Sequence, residues 1–413
     1  MSNRGTFPGT AAGPAGPPVD KGLPVLDLFF DASRLSHALG RPARADRMRH
    51  KPGVSAVARL QDGQDTPQWI AAYHPSAVEK AEKILHRSRQ WSSGASRVVQ
   101  IGMPGFPGYQ VLTGPLQMDG KLHKPLARFT RSGLPGGMAG SRILNYNPFR
   151  RVVFTVGTDT GELVCKATST PFPGTAALLV RLGGAGVPVV PECLPEALPP
   201  GIPRSRSLRY YPWFGMGHLG SPGESTATRL TELTHETGRA LARLHSLGPL
   251  PGAQAMQGSP AARLSAMVRH HARLAPALAA RLDRIHGRLQ PVVDVNSGQT
   301  LIHGDFSADQ VLVDGTRIRL IDFDRCSHGR RASDLGSFAA VELLAAGAGA
   351  GRPSLTAALL EGYRSTGQPV SDAEVVAWTA FHLLGRLHEP FRNCRDHWHQ
   401  EMADRLATIE QIL

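Results

Sequence analysis

The chain has 413 residues, of which 41% are hydrophobic and 19% charged, so it can bury a sizeable core and is neither wholly disordered nor fibrous. Its 46 basic and 33 acidic side chains give a formal net charge of +13. The basic residues are scattered without a long Lys/Arg run, so we expect them to attract a phosphorylated cofactor or an acidic partner and not nucleic acid. The sequence has neither an apolar run of about 18 residues nor an apolar signal core, and its cysteines form no CxxC pair, so we predict a cytoplasmic protein outside the membrane.

The first part of the chain divides by composition. Residues 1–23 are rich in Gly, Pro and Ala and are predicted to be a disordered lead-in. Residues 24–140 are predicted to form an N-terminal module that ends in a Gly-rich linker. Within it, 52–74 reads as two strands around a polar turn, the segment SAVEKAEKILHRSRQ as a helix, and 97–130 as further strands.

A second module of similar pattern is predicted over 141–214. It begins with a hairpin whose turn carries Gly157 and Gly161, and a helix near 173–183 follows. Lys166 lies in the apolar second strand of this hairpin, and no lysine occurs after it. The two hairpin-plus-helix patterns reflect either duplication of a small sheet module or a chance similarity.

Residues 215–413 are predicted to be mainly helical. The clearest helix, 224–247, has a leucine stripe at 230, 233, 241 and 244. Between Thr300 and Asp322 the sequence indicates two short strands, TLIHGD and RIRLIDF, which we expect to pair as a hairpin across the segment QVLVDG.

These strands carry residues suited to phosphoryl transfer. Asp305 follows the first strand in a loop, Gln310 lies five residues later, and Asp322 closes the second strand. Two carboxylates and an amide oxygen suit Mg²⁺ bound to nucleotide phosphates. One carboxylate must remain off the metal to orient the attacking hydroxyl, and we assign that role to Asp305. Lys166 is placed to supply the cation that the other phosphates need.

The motif set resembles the aminoglycoside phosphotransferase and choline kinase-like superfamily, relatives of protein kinases. The matching segments are His303-Gly304-Asp305 with Gln310, Ile321-Asp322-Phe323 and Asp334-Leu335-Gly336. The resemblance implies an α+β, bilobal protein-kinase-like fold with a β-rich N-terminal lobe at 141–214, an added or duplicated cap before it, and a helical C-terminal lobe at 215–413. The cap resembles that of maltokinase-like members.

The resemblance also implies roles and cofactors. ATP and Mg²⁺ would be the cofactors, Asp305 the catalytic base, Gln310 and Asp322 the metal ligands, and Lys166 the phosphate-binding lysine. Other residues predicted to contact the nucleotide are Gly157 in the hairpin turn and Trp213 and Phe214 in the connector between the lobes.

Three departures from the family pattern bear on these roles. Gln310 replaces an Asn, Gly329-Arg330-Arg331 replaces a GDP segment, and the helix after Lys166 contains no Glu to pair with the lysine. We therefore expect the phosphates of ATP to be the main partner of Lys166, so that its removal costs little stability.

The predicted function is phosphorylation of a hydroxyl of a small molecule, an antibiotic or a sugar. Such an acceptor would need an acidic pocket, for which the region after 334 offers Glu342, Glu361, Asp372, Glu374 and Glu389. Two alternatives stay open. One is a Ser/Thr peptide kinase of a lanthipeptide-type pathway, whose acidic leader peptide would suit the positive charge. The other is a pseudokinase or nucleotide-binding scaffold.

Overall fold

The protein consists of two compact units, Met1–Gly120 and Lys121–Leu413. The computed structural model describes residues 19–64, 66–91, 97–132, 140–159, 161–171, 175–221, 226–248, 250, 253, 258–294, 298–346 and 354–413. Most of the predicted lead-in, 1–18, and most of the Gly-rich linker, 133–139, lie outside the described residues.

The N-terminal unit is built on one antiparallel sheet. Its elements are a 3-10 helix (Pro24–Phe29), α1 (Ala32–Leu39), β1 (Arg44–Lys51), β2 (Ser55–Gln61), β3 (Gln68–Tyr73), α2 (Val78–Trp91), β4 (Val99–Ile101) and β5 (Gln110–Pro115). The strand order is β1-β2-β3-β5-β4. The run WIAAY in the middle strand β3 is buried, so the core of this unit lies along it.

The C-terminal unit begins with a helix and a second antiparallel sheet. Its first elements are α3 (His123–Arg131), β6 (Ile143–Asn147), β7 (Arg151–Thr158), β8 (Gly161–Thr168), α4 (Ala176–Gly184) and β9 (Leu208–Pro212). The prediction of strands up to residue 130 was wrong for α3. Leu122, Leu126 and Phe129 recur at helical spacing and are all buried, and this pattern stabilises one turn after another against the unit's core.

The two sheets share part of their connectivity, although the first has an additional edge strand, β4, between α2 and β5. In the first, three consecutive antiparallel strands are followed by α2, and β5 then pairs with β3. In the second, β6, β7 and β8 are followed by α4, and β9 pairs with β8. The similarity of the two predicted hairpin-plus-helix modules thus extends to the strand that closes each of them.

The rest of the C-terminal unit is mostly helical. Its elements are β10 (Gly217–His218), α5 (Ala227–Ser246), α6 (Pro260–Leu274), α7 (Ala279–Val293), β11 (Gln299–Ile302), β12 (Val311–Asp314), β13 (Arg317–Leu320), β14 (Ser327–Arg330), α8 (Arg331–Ala346), α9 (Leu355–Arg364), α10 (Asp372–Gly385), α11 (Glu389–Arg392) and α12 (Trp398–Ile412). Thr226 caps α5 by accepting a hydrogen bond from the Arg229 N–H at 3.2 Å. The predicted leucine stripe of α5 is buried.

The predicted pairing of the strands around the HGD loop was wrong. Residues 311–314, read as a connection, form a strand of their own, and β12 pairs with β13 across a turn in which Gly315 has a φ of 57°. β11 pairs instead with β14. The loop from His303 to Gln310 therefore joins two small sheets.

An antiparallel β-rich part followed by a mostly helical part confirms the predicted α+β class. Among the described residues, no helix is both long and apolar enough to cross a membrane. The domain limits predicted at 140 and 214 stay predictions.

Candidate active site

One buried carboxylate holds the HGD loop in place through hydrogen bonds to its backbone. Asp334, at the start of α8, accepts hydrogen bonds from the backbone N–H groups of His303 at 2.6 Å and Gly304 at 2.9 Å. The His245 ring lies 3.1 Å from the same carboxylate. Burial alone would raise the pKa of Asp334, but these hydrogen bonds and the nearby histidine charges lower it below its ordinary value.

Gly304 is required by the shape of this loop. Its φ is 84°, and a Cβ at this position would lie 2.3 Å from the carbonyl oxygen of Arg325. Only glycine accepts both the left-handed backbone and the close approach. The turn at Gly304 directs the next residue, Asp305, into a cavity.

Asp305 is partly exposed in this cavity and lies between two guanidinium groups. Arg325 is 3.1 Å from one carboxylate oxygen and Arg386 is 3.8 Å from the other. The sequence predicted an aspartate free to point at a substrate, but did not predict the two arginines that hold it.

Lys166 is buried and has protein partners, which corrects the expectation that a nucleotide is its main partner. Its Nζ donates to Asp322 at 2.7 Å and also to Asp324. Arg209, opposite Lys166 on β9, contacts the second Asp324 oxygen at 3.1 Å. The helix after Lys166 supplies no acid, as predicted, but the loop after β13 supplies two.

Asp322 is strongly biased towards the ionised form. Burial would raise its pKa, but Lys166 and the Arg151 guanidinium, 3.4 Å away, hold that pKa well below its ordinary range. The sequence analysis did not predict a role for Asp324. The repeated acid of the segment IDFD was the signal that could have found it.

The structure brings Gln310 to the same end of the β12–β13 hairpin as Asp322. The Ile321 N–H donates to the Gln310 carbonyl at 3.0 Å, directly beside Asp322. The amide of the Gln310 side chain lies 3.3 Å from Asp309. The Asp322 carboxylate lines the cavity and is a hard ligand of the kind that Mg²⁺ takes, whereas Gln310 is not among the lining residues and its side chain contacts Asp309.

Lys166 reaches the cavity only through Asp322 and Asp324, and the other predicted nucleotide contacts also lie outside its lining. Gly157 is exposed at the β7–β8 turn. It lies four residues along β7 from Val153, which pairs with Lys166 in the strand register. Trp213 follows β9 with its ring 38% exposed beneath the Arg142 guanidinium, and Phe214 lies beside Arg317 and Arg319.

A different turn reaches the cavity. Asn147, Arg150 and Arg151, at the turn between β6 and β7, line it together with Asp305, Asp322 and Asp324. Its volume is about 850 Å³. This turn contains no glycine motif, and the sequence analysis therefore did not predict it as part of the site.

A lysine on an antiparallel sheet, followed in a mostly helical region by an HGD aspartate and a second aspartate, defines a kinase-type phosphotransferase that acts on hydroxyl groups. The chain belongs to the phosphotransferase enzyme family, because the model of that family matches residues 149–374, more than half of the chain. The predicted resemblance and enzyme class are confirmed. The matched region excludes the N-terminal unit, so its likeness to a maltokinase-type cap is not confirmed.

Several solved structures resemble this chain at low sequence identity. A choline/ethanolamine kinase family protein from Mesorhizobium loti is 18% identical, with 70% of this chain and 94% of that chain covered and a TM-score of 0.46. An amicoumacin kinase in complex with AMP-PNP, Ca²⁺ and Ami is 16% identical, with coverages of 70% and 96% and a TM-score of 0.49. A macrolide 2′-phosphotransferase from Brachybacterium faecium is 19% identical, with coverages of 69% and 97% and a TM-score of 0.44. No curated protein matches the sequence.

Proposed function

We propose that the protein is a cytoplasmic, ATP- and Mg²⁺-dependent kinase that phosphorylates a hydroxyl of a small molecule. One observation carries the proposal. Asp305 and Asp322 line the same cavity, and Asp322 is in contact with the buried strand lysine Lys166. A base, a metal ligand and a phosphate-binding cation are thereby available around one space large enough for two substrates.

In the proposed step, the acceptor hydroxyl oxygen forms a bond to the γ-phosphorus of ATP. The bond from that phosphorus to the β–γ bridging oxygen breaks, and ADP leaves with the electron pair. Asp305 accepts the proton of the acceptor hydroxyl. Arg325 and Arg386 hold the Asp305 carboxylate in position while the acceptor approaches.

On the nucleotide side, Lys166 binds and aligns phosphate oxygens, and Asp324 and Arg209 support it. Asp322 and Gln310 would hold Mg²⁺, which would screen the negative charge of the phosphates. Trp213 and Phe214 stay the proposed contacts of the adenine.

For the loop that covers the phosphates, we favour the turn Asn147–Arg151 over Gly157. This turn lines the cavity, and Arg151 contacts Asp322.

Replacing Asp322 tests the nucleotide site without any knowledge of the acceptor. We expect the wild type to gain thermal stability from ATP with Mg²⁺ and to lose that gain with EDTA. The variant Asp322→Ala should show no Mg²⁺-dependent gain, because the charged metal ligand is gone. The measurement is a melting curve at fixed ATP with and without Mg²⁺.

A matched control lies on the same hairpin. Asp314 pairs with Arg317 near the β12–β13 turn and does not line the cavity. Asp314→Ala should therefore keep the full Mg²⁺-dependent gain. An equal gain in Asp322→Ala and the wild type would remove Asp322 from the metal site.

A further inference from the structure

The cavity that contains Asp305 is strongly basic. Among the described residues, its lining has seven arginines against four carboxylates, an excess of three positive charges before the pairing of Arg330 with Glu374, behind the lining, is counted. The arginines are Arg150, Arg151, Arg263, Arg325, Arg330, Arg386 and Arg392. The carboxylates are Asp305, Asp322, Asp324 and Glu389.

The excess is greatest on the helical side, where the acceptor is expected. Arg263 comes from α6, Arg386 from the end of α10 and Arg392 from α11. The helices α6, α10 and α11 contribute one acid to the lining, Glu389, and Arg405 already lies 3.1 Å from it.

Asp305 is the shared counter-charge of this group. It contacts both Arg325 and Arg386, and it also attracts Arg263. Although Arg263 is an exposed residue, desolvation and the neighbouring Arg325 cation lower its pKa, while Asp305 raises it. Within the described part of the chain, Arg263 forms no salt bridge, and its guanidinium lies 5.5 Å from the centre of the Phe381 ring.

A buried donor adds to this pattern. Trp378 on α10 lines the cavity and is 3% exposed, and its indole N–H has no hydrogen-bond partner among the described residues. An indole N–H can only donate, so it needs an oxygen acceptor from a ligand or from water.

The acids that a cationic acceptor would need are engaged elsewhere. Glu374 is bound by Arg330 at 2.9 Å, Asp372 pairs with Arg364, and Glu342 accepts the first N–H groups of α9. Glu361 is exposed, and only Glu389 lines the cavity. Of the five acids that the sequence offered for an acidic acceptor pocket but could not place, the described structure brings only Glu389 to this cavity.

We infer that the acceptor of this kinase is anionic, a hydroxyl compound that carries a carboxylate or phosphate group bound by Arg263 and Arg386 beside Asp305. This inference rests on the proposed function. Guanidinium groups bind both kinds of oxyanion through paired hydrogen bonds, and an excess of positive charge in a cleft concentrates anions there. An aminoglycoside-type polycation would instead meet repulsion from three arginines.

Matched compounds that differ mainly in charge test the inference. One set is glucuronate, glucose 6-phosphate, glucose and glucosamine, which share a pyranose ring. A second set is blocked tripeptides with a central Ser flanked by Glu, by Gln or by Lys. Binding is measured by titration calorimetry on the full chain without ATP, so the result does not depend on phosphate transfer.

In the set that binds, we expect the anionic member to bind at least about tenfold more tightly than the neutral one and the cationic member to bind most weakly. A tenfold difference in affinity is about the effect of one charge-assisted hydrogen bond. Arg263→Gln and Arg386→Gln should each reduce this preference by about tenfold. The control Arg269→Gln, an exposed arginine of α6 that does not line the cavity, should leave it unchanged. The first set shows whether the site prefers a carboxylate or a phosphate group. The second set shows whether the anionic group can belong to a peptide.

Three results would overturn the inference: tighter binding of a neutral or cationic member, an anion preference that survives both arginine substitutions, or no binding of any anionic member at about 10 mM. Failure of the proposed function looks different. In that case anionic compounds would bind through Arg263 and Arg386, but none would be phosphorylated when ATP and Mg²⁺ are added.

Discussion

At the scale of single residues, Lys166 shows how a buried charge is kept in this protein. Its side chain is 9% exposed and lies between Asp322 and Asp324, which in turn contact Arg151 and Arg209. A buried ammonium without such partners would cost several kcal/mol. The network is thus both the support of the lysine and the place where phosphates and metal are proposed to bind.

Replacing Lys166 should therefore affect stability as well as activity. Lys166→Met leaves two partly buried carboxylates without their central cation, and Arg151 and Arg209 compensate only in part. We expect a loss of about 3 kcal/mol in the free energy of unfolding, the low end for breaking a buried ion pair. Urea unfolding measures this loss, and ATP turnover below the melting temperature should also fall sharply.

The replacement Lys166→Arg completes this test. Arginine keeps the charge, but its planar group cannot occupy the place of a compact ammonium between two aspartates. We expect it to recover part of the stability but not the turnover. A Lys166→Met protein that turns over ATP normally while folded would make the lysine purely structural.

At the scale of elements, two helices cross so closely that their backbones touch. A Cβ on Gly362 of α9 would lie 1.9 Å from the His235 carbonyl oxygen of α5, and one on Gly238 of α5 would lie 2.1 Å from the Leu359 carbonyl oxygen of α9. Since α5 also carries His245, which contacts Asp334, this crossing helps to position the support of the HGD loop.

Adding one methyl group should separate these helices. Gly362→Ala is expected to cost at least about 2 kcal/mol, because rigid backbone and not a flexible side chain occupies the space. The control is Gly287→Ala in the middle of α7, where nothing lies within 4 Å and the substitution should stabilise by about 0.5–1 kcal/mol. Thermal or urea unfolding of both variants measures these changes in the free energy of unfolding. Equal stability of the two would mean that α5 and α9 do not pack this closely.

At the scale of the whole molecule, local patterns predicted much of what the structure shows. The leucine stripe predicted α5, and the HGD and IDF segments predicted two aspartates that line one cavity. Two elements were predicted wrongly. Residues 311–314 form a strand that pairs with the distant β10 as well as with β13, so a contact remote in sequence helps to define it. The helix α3 was expected to be strand although Leu122, Leu126 and Phe129 recur at helical spacing, so here the local pattern was available.

The predicted site was incomplete because of contacts remote in sequence. The partners of Lys166 lie more than 150 residues away in the chain, at Asp322 and Asp324, so the search of the neighbouring helix could not find them. The basic character of the cavity was equally hidden, because Arg263, Arg325 and Arg386 meet at Asp305 only in the folded chain. The sequence identified residues with suitable chemistry, but only the folded structure shows which of them lie together.

The most direct test of the account is phosphate transfer by Asp305→Asn. The assay follows ADP formation from ATP and Mg²⁺, alone and with the two sets of hydroxyl compounds. We expect the variant to bind ATP like the wild type and to lose turnover by about 10²–10⁴-fold, the range for loss of a general base. Asp314→Asn, an aspartate that pairs with Arg317 and lies outside the cavity lining, should keep turnover within about threefold. Near-normal turnover in Asp305→Asn would contradict the central claim that this aspartate activates the acceptor hydroxyl.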